Sequence, residues 1–145
     1  MDNQVLDWLN ANKGRTFPSP RGKAFNRRTK DFEIVRILSD RVYTRFVGSK
    51  YVALPLAFSM FDRVLQCLRE NKGRPVRLGA KVSPPYENYT LEAELWKRPY
   101  PIGNSPYKAA PHVCDILVLA GKVQYVWVSD PLTGRKIEGA ELIHS

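Results

Sequence analysis

The fold is decided by one stretch of the sequence, FEIVRILSDRVYTRFVGSKYVAL, which covers residues 32–54. It contains three short runs rich in β-branched and aromatic residues, and the two-residue polar turns Ser39-Asp40 and Gly48-Ser49 separate them. Runs and turns of this kind predict an antiparallel meander of three strands. The strands are expected at 32–38, 41–47 and 50–54.

The middle strand has two faces of different chemistry, because side chains alternate between the faces of a strand. The face suited to burial carries Val42, Thr44 and Phe46. The other face carries Tyr43 between Arg41 and Arg45, and Tyr51 of the third strand is expected on the same side. This outer face combines aromatic rings with positive charge. The alternative is that Tyr43 and Tyr51 pack in the core under a neighbouring segment.

A helix is predicted directly after the meander. Apolar residues recur there at helical spacing and form one stripe, which consists of Phe58, Phe61, Val64, Leu65 and Leu68. Pro55 or Ser59 can begin the helix, since proline in a first turn loses no hydrogen bond. Gly73 follows its last turn, where glycine is favoured. The stripe needs a sheet to cover it, and the meander is the nearest candidate.

The remaining elements follow from periodicity and capping residues. Helices are expected at 2–13, 90–98 and 111–120, and strands at 75–78, 123–128 and 135–143. A strand is the alternative for 90–98 and for 113–119. We therefore predict a single α+β domain over residues 1–145. It should contain a mainly antiparallel sheet of about five strands, with three to four helices packed largely on one face.

Composition indicates the class of partner. The 145 residues include 23 lysines and arginines against 14 acidic residues, a net charge of +9. Such a charge favours a polyanion, with nucleic acid first and an anionic membrane surface second. We expect a cytoplasmic protein without a membrane partner, because neither a signal peptide nor an apolar run of about 18–20 residues is recognisable. Cys67 and Cys114 are expected to be buried thiols rather than a disulfide.

The segment from Lys13 to Lys30 contains cations and no acidic residue. Its basic residues are Lys13, Arg15, Arg21, Lys23, Arg27, Arg28 and Lys30. Pro18, Pro20 and Gly22 speak against a regular helix, so a loop or an extended arm is expected. Phe17 and Phe25 are interleaved with the cations. We interpret this segment as a nucleic-acid-binding arm; a solvated loop is the alternative.

The same mixture of aromatic and basic residues recurs on the meander and in the segment 96–108. Binders of single strands combine cations for the phosphates with aromatic rings for the bases. The candidate nucleic-acid-binding residues are Phe25, Arg27, Arg28, Lys30, Arg36, Tyr43, Arg45, Lys50, Tyr51, Trp96, Arg98, Tyr100, Tyr107 and Lys108. A duplex is a less suitable partner, because the helix after the meander carries as many acidic residues as cations.

Catalytic motifs are not recognisable in the sequence. His112, Cys114 and Asp115 lie close together, but their spacing is not that of a zinc site. We therefore predict no catalytic residue, no metal and no cofactor. A Mg²⁺-dependent nuclease is the alternative from another class, since it needs converging carboxylates. The pairs that could supply them are Asp31 with Glu33, Glu92 with Glu94, and Glu138 with Glu141.

Three segments resemble the single-stranded DNA-binding protein family of the Thermoproteales and its related proteins in other archaea. They are RVYTRFV at 41–47, LPLAFSMFDR at 54–63 and VWVSDPLTGR at 126–135. The resemblance covers most of the chain and implies sequence-tolerant binding of single strands in a cleft with basic and hydrophobic walls. The family has no short diagnostic motif, so the resemblance assigns no binding residue.

The oligomeric state and the choice between DNA and RNA stay open. The founding member of the family has a zipper-like C-terminal helix that has no counterpart before Ser145, so a homo-oligomer is one option and a monomer another. The partner is single-stranded DNA or RNA, because stacking does not depend on the sugar. An RNA-binding or ribosome-associated interaction module is a further alternative.

Overall fold

A computed structural model describes residues 1–48, 53–79, 90–97, 108–130 and 133–143. Within these residues it contains five helices and seven strands, and every pairing between named strands is antiparallel. The predicted α+β class is confirmed. The predicted single sheet of about five strands is wrong, because the strands form one four-stranded and one three-stranded sheet. The described helices also outnumber the three to four that were expected.

The first sheet contains the predicted meander. Its strands are β1 (Thr16–Phe17), β2 (Phe32–Ile37), β3 (Arg41–Phe46) and β4 (Leu54–Ala57), in that spatial order. The third predicted strand is shifted, since β4 begins at Leu54; positions 50–52 lie outside the described residues. Pro55 lies within β4 and does not begin a helix. Proline is tolerated there because β4 lies at the edge of the sheet.

The second sheet brings together strands that are far apart in the sequence. They are β5 (Val76–Arg77), β6 (Val123–Ser129) and β7 (Lys136–Leu142), with β7 in the centre. Gly139 allows the close approach of β7 to its neighbours. A Cβ atom at this position would lie 2.9 Å from the backbone oxygen of Val76 and would also collide with the Val128 side chain.

Four of the five helices agree with the prediction. The helices are α1 (Asn3–Asn12), α2 (Pro20–Ala24), α3 (Phe58–Glu70), α4 (Leu91–Leu95) and α5 (Ala110–Leu119). The short helix α2 contradicts the expectation of an irregular arm. It forms because Ser19 caps it, accepting a hydrogen bond from the Arg21 backbone N–H, and because Pro20 occupies the first turn.

Helix α3 forms the centre of the core. It buries Met60, Phe61, Val64, Leu65 and Leu68, whereas Phe58 is only partly buried. It contacts β4 of the first sheet and β7 of the second, so the helix packs against both sheets rather than against the meander alone. Each buried side chain of this size contributes about 1.5–3 kcal/mol. The helix begins at Phe58, not at Pro55 or Ser59.

The structure also shows the state of the two cysteines. Both cysteines are free thiols; Cys114 is buried and Cys67 is partly buried. Among the helices that the structure describes, none combines the length and hydrophobicity needed to cross a lipid bilayer.

Candidate nucleic-acid interface

The outer side of the first sheet carries a tyrosine among arginines. Arg36 of β2 lies directly opposite Tyr43 of β3, and Pro55 of β4 lies opposite Tyr43 on its other side. Tyr43 is partly exposed, and Arg36 and Arg45 are exposed. The predicted faces of β3 are confirmed, since Val42 and Thr44 on the inner side are buried. We call the four outer residues Arg36, Arg41, Tyr43 and Arg45 the sheet face.

Carboxylates neutralise part of the charge of the sheet face. Glu33 Oε1 lies 2.9 Å from Arg45 Nη2, and the Asp40 carboxylate accepts two hydrogen bonds of 2.9 Å from Arg41. The bond from Asp40 raises the pKa of Arg41, and the Tyr43 hydroxyl acts in the same direction. Within the described residues no ion pair involves Arg36. The cation opposite the tyrosine is therefore the one that keeps its full charge for a ligand.

The part of the predicted arm that follows α2, residues 27–31, leads to the first sheet, and we call it the connecting segment. Arg28 and Lys30 are exposed, and the Val47 N–H donates to the Asp31 carbonyl where the segment enters the sheet. Arg21 does not belong to this surface, because it is buried and paired with an aspartate of α5. The five peptide units from residue 27 to residue 32 span at most about 17 Å. Exposed cations thus connect the region of Arg27 with the first sheet.

A basic pocket lies at the other end of this segment. Its volume is about 320 Å³, and its described lining consists of Arg27, Arg77, Leu78, Gly79, Lys108, Pro111, Ile137 and Glu138. Arg27 Nη2 lies 3.0 Å from Glu138 Oε1. The described lining therefore contains three cations and one carboxylate, a formal charge of +2, and Arg77 has a further interaction of its own. Two of the predicted residues, Arg27 and Lys108, belong to this pocket.

Trp127 is an aromatic residue beside the pocket that the sequence reasoning missed. It lies on β6 directly opposite Glu138, and 47% of its surface is exposed. Its ring meets the Phe25 ring edge-on, with 4.9 Å between the centroids. Alternation places Trp127 on the same face of β6 as the buried Val123, so no pattern in the sequence indicates that this ring is exposed.

Two of the predicted stacking residues are core residues. Phe25 is 4% exposed, and its ring packs against Tyr125 at a centroid distance of 5.3 Å as well as against Trp127. Trp96 is fully buried, and its indole N–H donates to Glu92 Oε2 at 2.8 Å. We therefore correct the prediction for Phe25 and Trp96, because a ring must present an open face to stack on a base.

Five of the predicted residues lie outside the described part of the chain. They are Lys50, Tyr51, Arg98, Tyr100 and Tyr107. Of the other nine, Arg36, Tyr43 and Arg45 share the sheet face, Arg28 and Lys30 lie on the connecting segment, and Arg27 and Lys108 line the basic pocket. The described members that remain exposed thus fall on two surfaces joined by one segment.

Three of the acidic residues that might hold a metal, Glu33, Glu92 and Glu138, have structural partners. Glu92 is buried and accepts hydrogen bonds from the Trp96 indole and from the backbone N–H groups of Ala109 and Ala110, where α5 begins. Burial raises its pKa. Glu33 and Glu138 are paired with arginines. In the ranges that the structure describes, no group of three or more His, Cys, Asp or Glu residues could hold a metal ion.

A buried polar network fixes α2 to α5 and β6. Asp115 is 2% exposed and accepts hydrogen bonds from Ser19 Oγ at 2.8 Å, from Arg21 Nε at 3.2 Å and from the Tyr125 hydroxyl at 2.5 Å. Burial raises the pKa of Asp115, and Arg21 opposes this shift. Burial also raises the pKa of Tyr125 well above 10, so the phenol stays a donor. The network therefore holds α2 in place, and the exposed cations Arg28 and Lys30 follow this helix.

His112 should make the stability of the protein depend on pH. Its ring is partly buried, 5.1 Å from the Phe46 ring, and burial lowers its pKa to about 4, with Arg21 and Lys108 acting in the same direction. Because the unfolded chain takes up a proton near pH 6.5 and the folded chain does not, stability is lost as the pH falls from 6.5 towards 4. We expect His112 to contribute a loss of about 2 kcal/mol between pH 7 and pH 4.5.

The measurement is urea unfolding at both pH values, with His112→Gln as the matched variant. Carboxylates that titrate in the same range affect both proteins equally, so the difference between the proteins isolates the imidazole. An equal loss of unfolding free energy in the two proteins would contradict a buried neutral His112.

Comparison with protein-family models, with curated proteins and with solved structures found no match to this chain. The resemblance to the archaeal single-stranded DNA-binding proteins therefore stays a prediction. The sheet face and the basic pocket are therefore the observations that bear on the function.

Proposed function

We propose that the protein binds single-stranded nucleic acid, DNA or RNA, without catalysing a reaction on it. One observation carries the proposal: a partly exposed tyrosine, Tyr43, lies on the outer side of an antiparallel sheet, directly opposite Arg36 and two residues from Arg45. Rings with neighbouring cations are what a single strand requires, because the ring stacks on a base while the cations contact the phosphates.

The connecting segment supports a site longer than one nucleotide. Arg28 and Lys30 extend the positive charge from the sheet face towards the basic pocket, and neither is paired with a described acidic residue. The net charge of +9 adds long-range attraction for a polyanion. A strand that follows these cations would release counterions along its length, so affinity should fall steeply with salt.

A single strand fits these surfaces better than a duplex. The faces of paired bases are stacked on each other, so the Tyr43 ring can reach a base face only in an unpaired strand. The helix that might enter a groove is poorly suited: α3 carries Arg69 against Asp62 and Glu70, and its other cation, Arg63, donates to the Leu95 carbonyl at 3.1 Å.

Replacing Tyr43 with alanine tests the proposal. We expect affinity for a short single strand to fall by about 1–3 kcal/mol, which corresponds to roughly 5- to 150-fold, because one base loses its stacking partner. Tyr43→Phe keeps the ring and should keep most of the affinity. The measurements are fluorescence anisotropy with a labelled oligonucleotide and urea unfolding of the same preparations.

The two readouts separate a binding role of Tyr43 from a structural one. A partly exposed ring should cost little stability when it is removed. If Tyr43→Ala instead lowers the free energy of unfolding by about 3–5 kcal/mol and leaves the affinity of the folded protein unchanged, Tyr43 belongs to the core.

A further inference from the structure

The basic pocket and Trp127 form a second site that the sheet face does not explain. Arg27 and Lys108 line the pocket, and Glu138 joins it to the exposed indole, because Glu138 pairs with Arg27 and lies opposite Trp127 in the sheet. We propose that this site binds the terminal phosphate of a single strand and stacks the adjoining base on Trp127. The inference rests on the proposed function and assigns one end of the strand to a defined place.

The charge of the pocket favours a terminal phosphate over an internal one. Even without Arg77, which has an interaction of its own, the described lining carries Arg27 and Lys108 against Glu138, a formal charge of +1. A phosphate monoester carries a charge of about −1.5 to −2 at pH 7, because its second pKa is about 6. An internal phosphodiester carries a single negative charge. A positively charged lining attracts the monoester about twice as strongly as the diester, and charge-assisted hydrogen bonds to it are the strong ones.

Glu138 holds Arg27 in position without consuming its donors. The ion pair joins Glu138 Oε1 to one terminal nitrogen of the guanidinium, at 3.0 Å. A guanidinium has five N–H donors in a planar fork, so further donors remain for phosphate oxygens. The pair therefore orients the cation for a phosphate.

Trp127 is placed to stack on the base next to the phosphate. Its ring lies on a seven-residue strand and meets the Phe25 ring edge-on at 4.9 Å, a contact that stabilises one orientation of the indole. Residues directly opposite each other in an antiparallel pair share a face, with Cβ atoms about 5 Å apart. The indole is thus beside the Glu138–Arg27 pair. A volume of about 320 Å³ falls within the range of small-ligand pockets.

The test compares three versions of one labelled oligonucleotide, with a 5′-phosphate, with a 3′-phosphate and with neither. We expect one phosphorylated end to bind the wild-type protein about tenfold more tightly, or more, than the unphosphorylated strand at pH 7.5. Lys108→Ala should bring the ratio of the two affinities close to one. Trp127→Ala should weaken binding roughly 5- to 150-fold through the lost stack.

Arg69→Ala is the matched control, because it removes an exposed cation from α3 and should leave the ratio unchanged. Circular dichroism of each variant establishes that it is folded. If the wild-type protein binds all three strands equally, the terminal-phosphate site is wrong while single-strand binding stands. The inference also fails if Lys108→Ala keeps the full ratio. If no strand binds, both proposals fail together.

Discussion

Replacing Asp115 with alanine is expected to lower the free energy of unfolding by about 3–5 kcal/mol. The change leaves the side chain of Arg21, which is 10% exposed, without its carboxylate in the interior. Ser19 and Tyr125 lose the same acceptor. A buried charge without its partner is costly because water no longer solvates it. Urea unfolding at pH 7 measures the effect.

Two further variants identify the cause of that loss. Ser19→Ala removes one donor to Asp115 and also the N-cap of α2, so it should cost about 1–2 kcal/mol. The double variant Arg21→Met with Asp115→Leu removes both charges and should be close to the wild type in stability, since buried ion pairs often gain little over apolar side chains. If Asp115→Ala costs less than about 1 kcal/mol, the network does not hold α2 in place.

Replacing Trp96 with alanine should cost about 3–5 kcal/mol of stability and no affinity for nucleic acid in the folded protein. The side chain is fully buried, and its N–H donates to Glu92, which also binds the first N–H groups of α5. The variant therefore leaves a cavity and removes a hydrogen bond to a buried carboxylate. Urea unfolding and strand affinity are measured on the same preparation.

Trp96→Phe is the control, because it keeps most of the ring volume and loses only the donor. Its expected cost is about 1–2 kcal/mol. A loss of affinity in folded Trp96→Ala, with stability intact, would reverse the assignment of Trp96 to the core and return it to the interface.

Local sequence patterns were sufficient to predict the helices and strands whose apolar side chains recur at a regular spacing. The stripe of α3 and the alternation of β3 predicted most of their buried side chains, because a helix or strand has a fixed period; Met60 was missed, and Phe58 and Phe46 are only partly buried. Capping chemistry was equally informative for α1, where the Asp2 carboxylate accepts the Val5 N–H at 3.1 Å. The same chemistry is present at Ser19, where a capping hydroxyl followed by Pro20 forms α2 despite Gly22.

The arrangement of the strands could not be predicted in the same way. Alternation determines which face of a strand is buried, but it does not determine which other strand pairs with it. Val76 of β5 pairs with Ala140 of β7, 64 positions later, and such long-range pairing divides the strands into two sheets. The space that Gly139 leaves for Val76 is a consequence of that pairing and has no local signature.

The candidate site was predicted only in part, because neighbours in the sequence do not show which side chains pack against each other. Basic neighbours in the sequence suggested that Phe25 and Trp96 face a ligand, yet packing against Tyr125 and the bond to Glu92 place both in the core. Trp127 shows the reverse case, because it shares a face of β6 with the buried Val123 and is itself exposed. Tyr43 was placed correctly on the outer side, since its inner neighbours, Val42 and Thr44, are the more suitable core residues.

The most direct test of the central claim is a comparison of affinity for one labelled single strand and for the matching duplex at the same salt concentration. The titration is carried out with Mg²⁺ and again with a chelator, and the strand is inspected for cleavage afterwards. Our account predicts clearly tighter binding of the single strand and an intact strand under both conditions. Equal or tighter binding of the duplex, or cleavage that requires Mg²⁺, would contradict it.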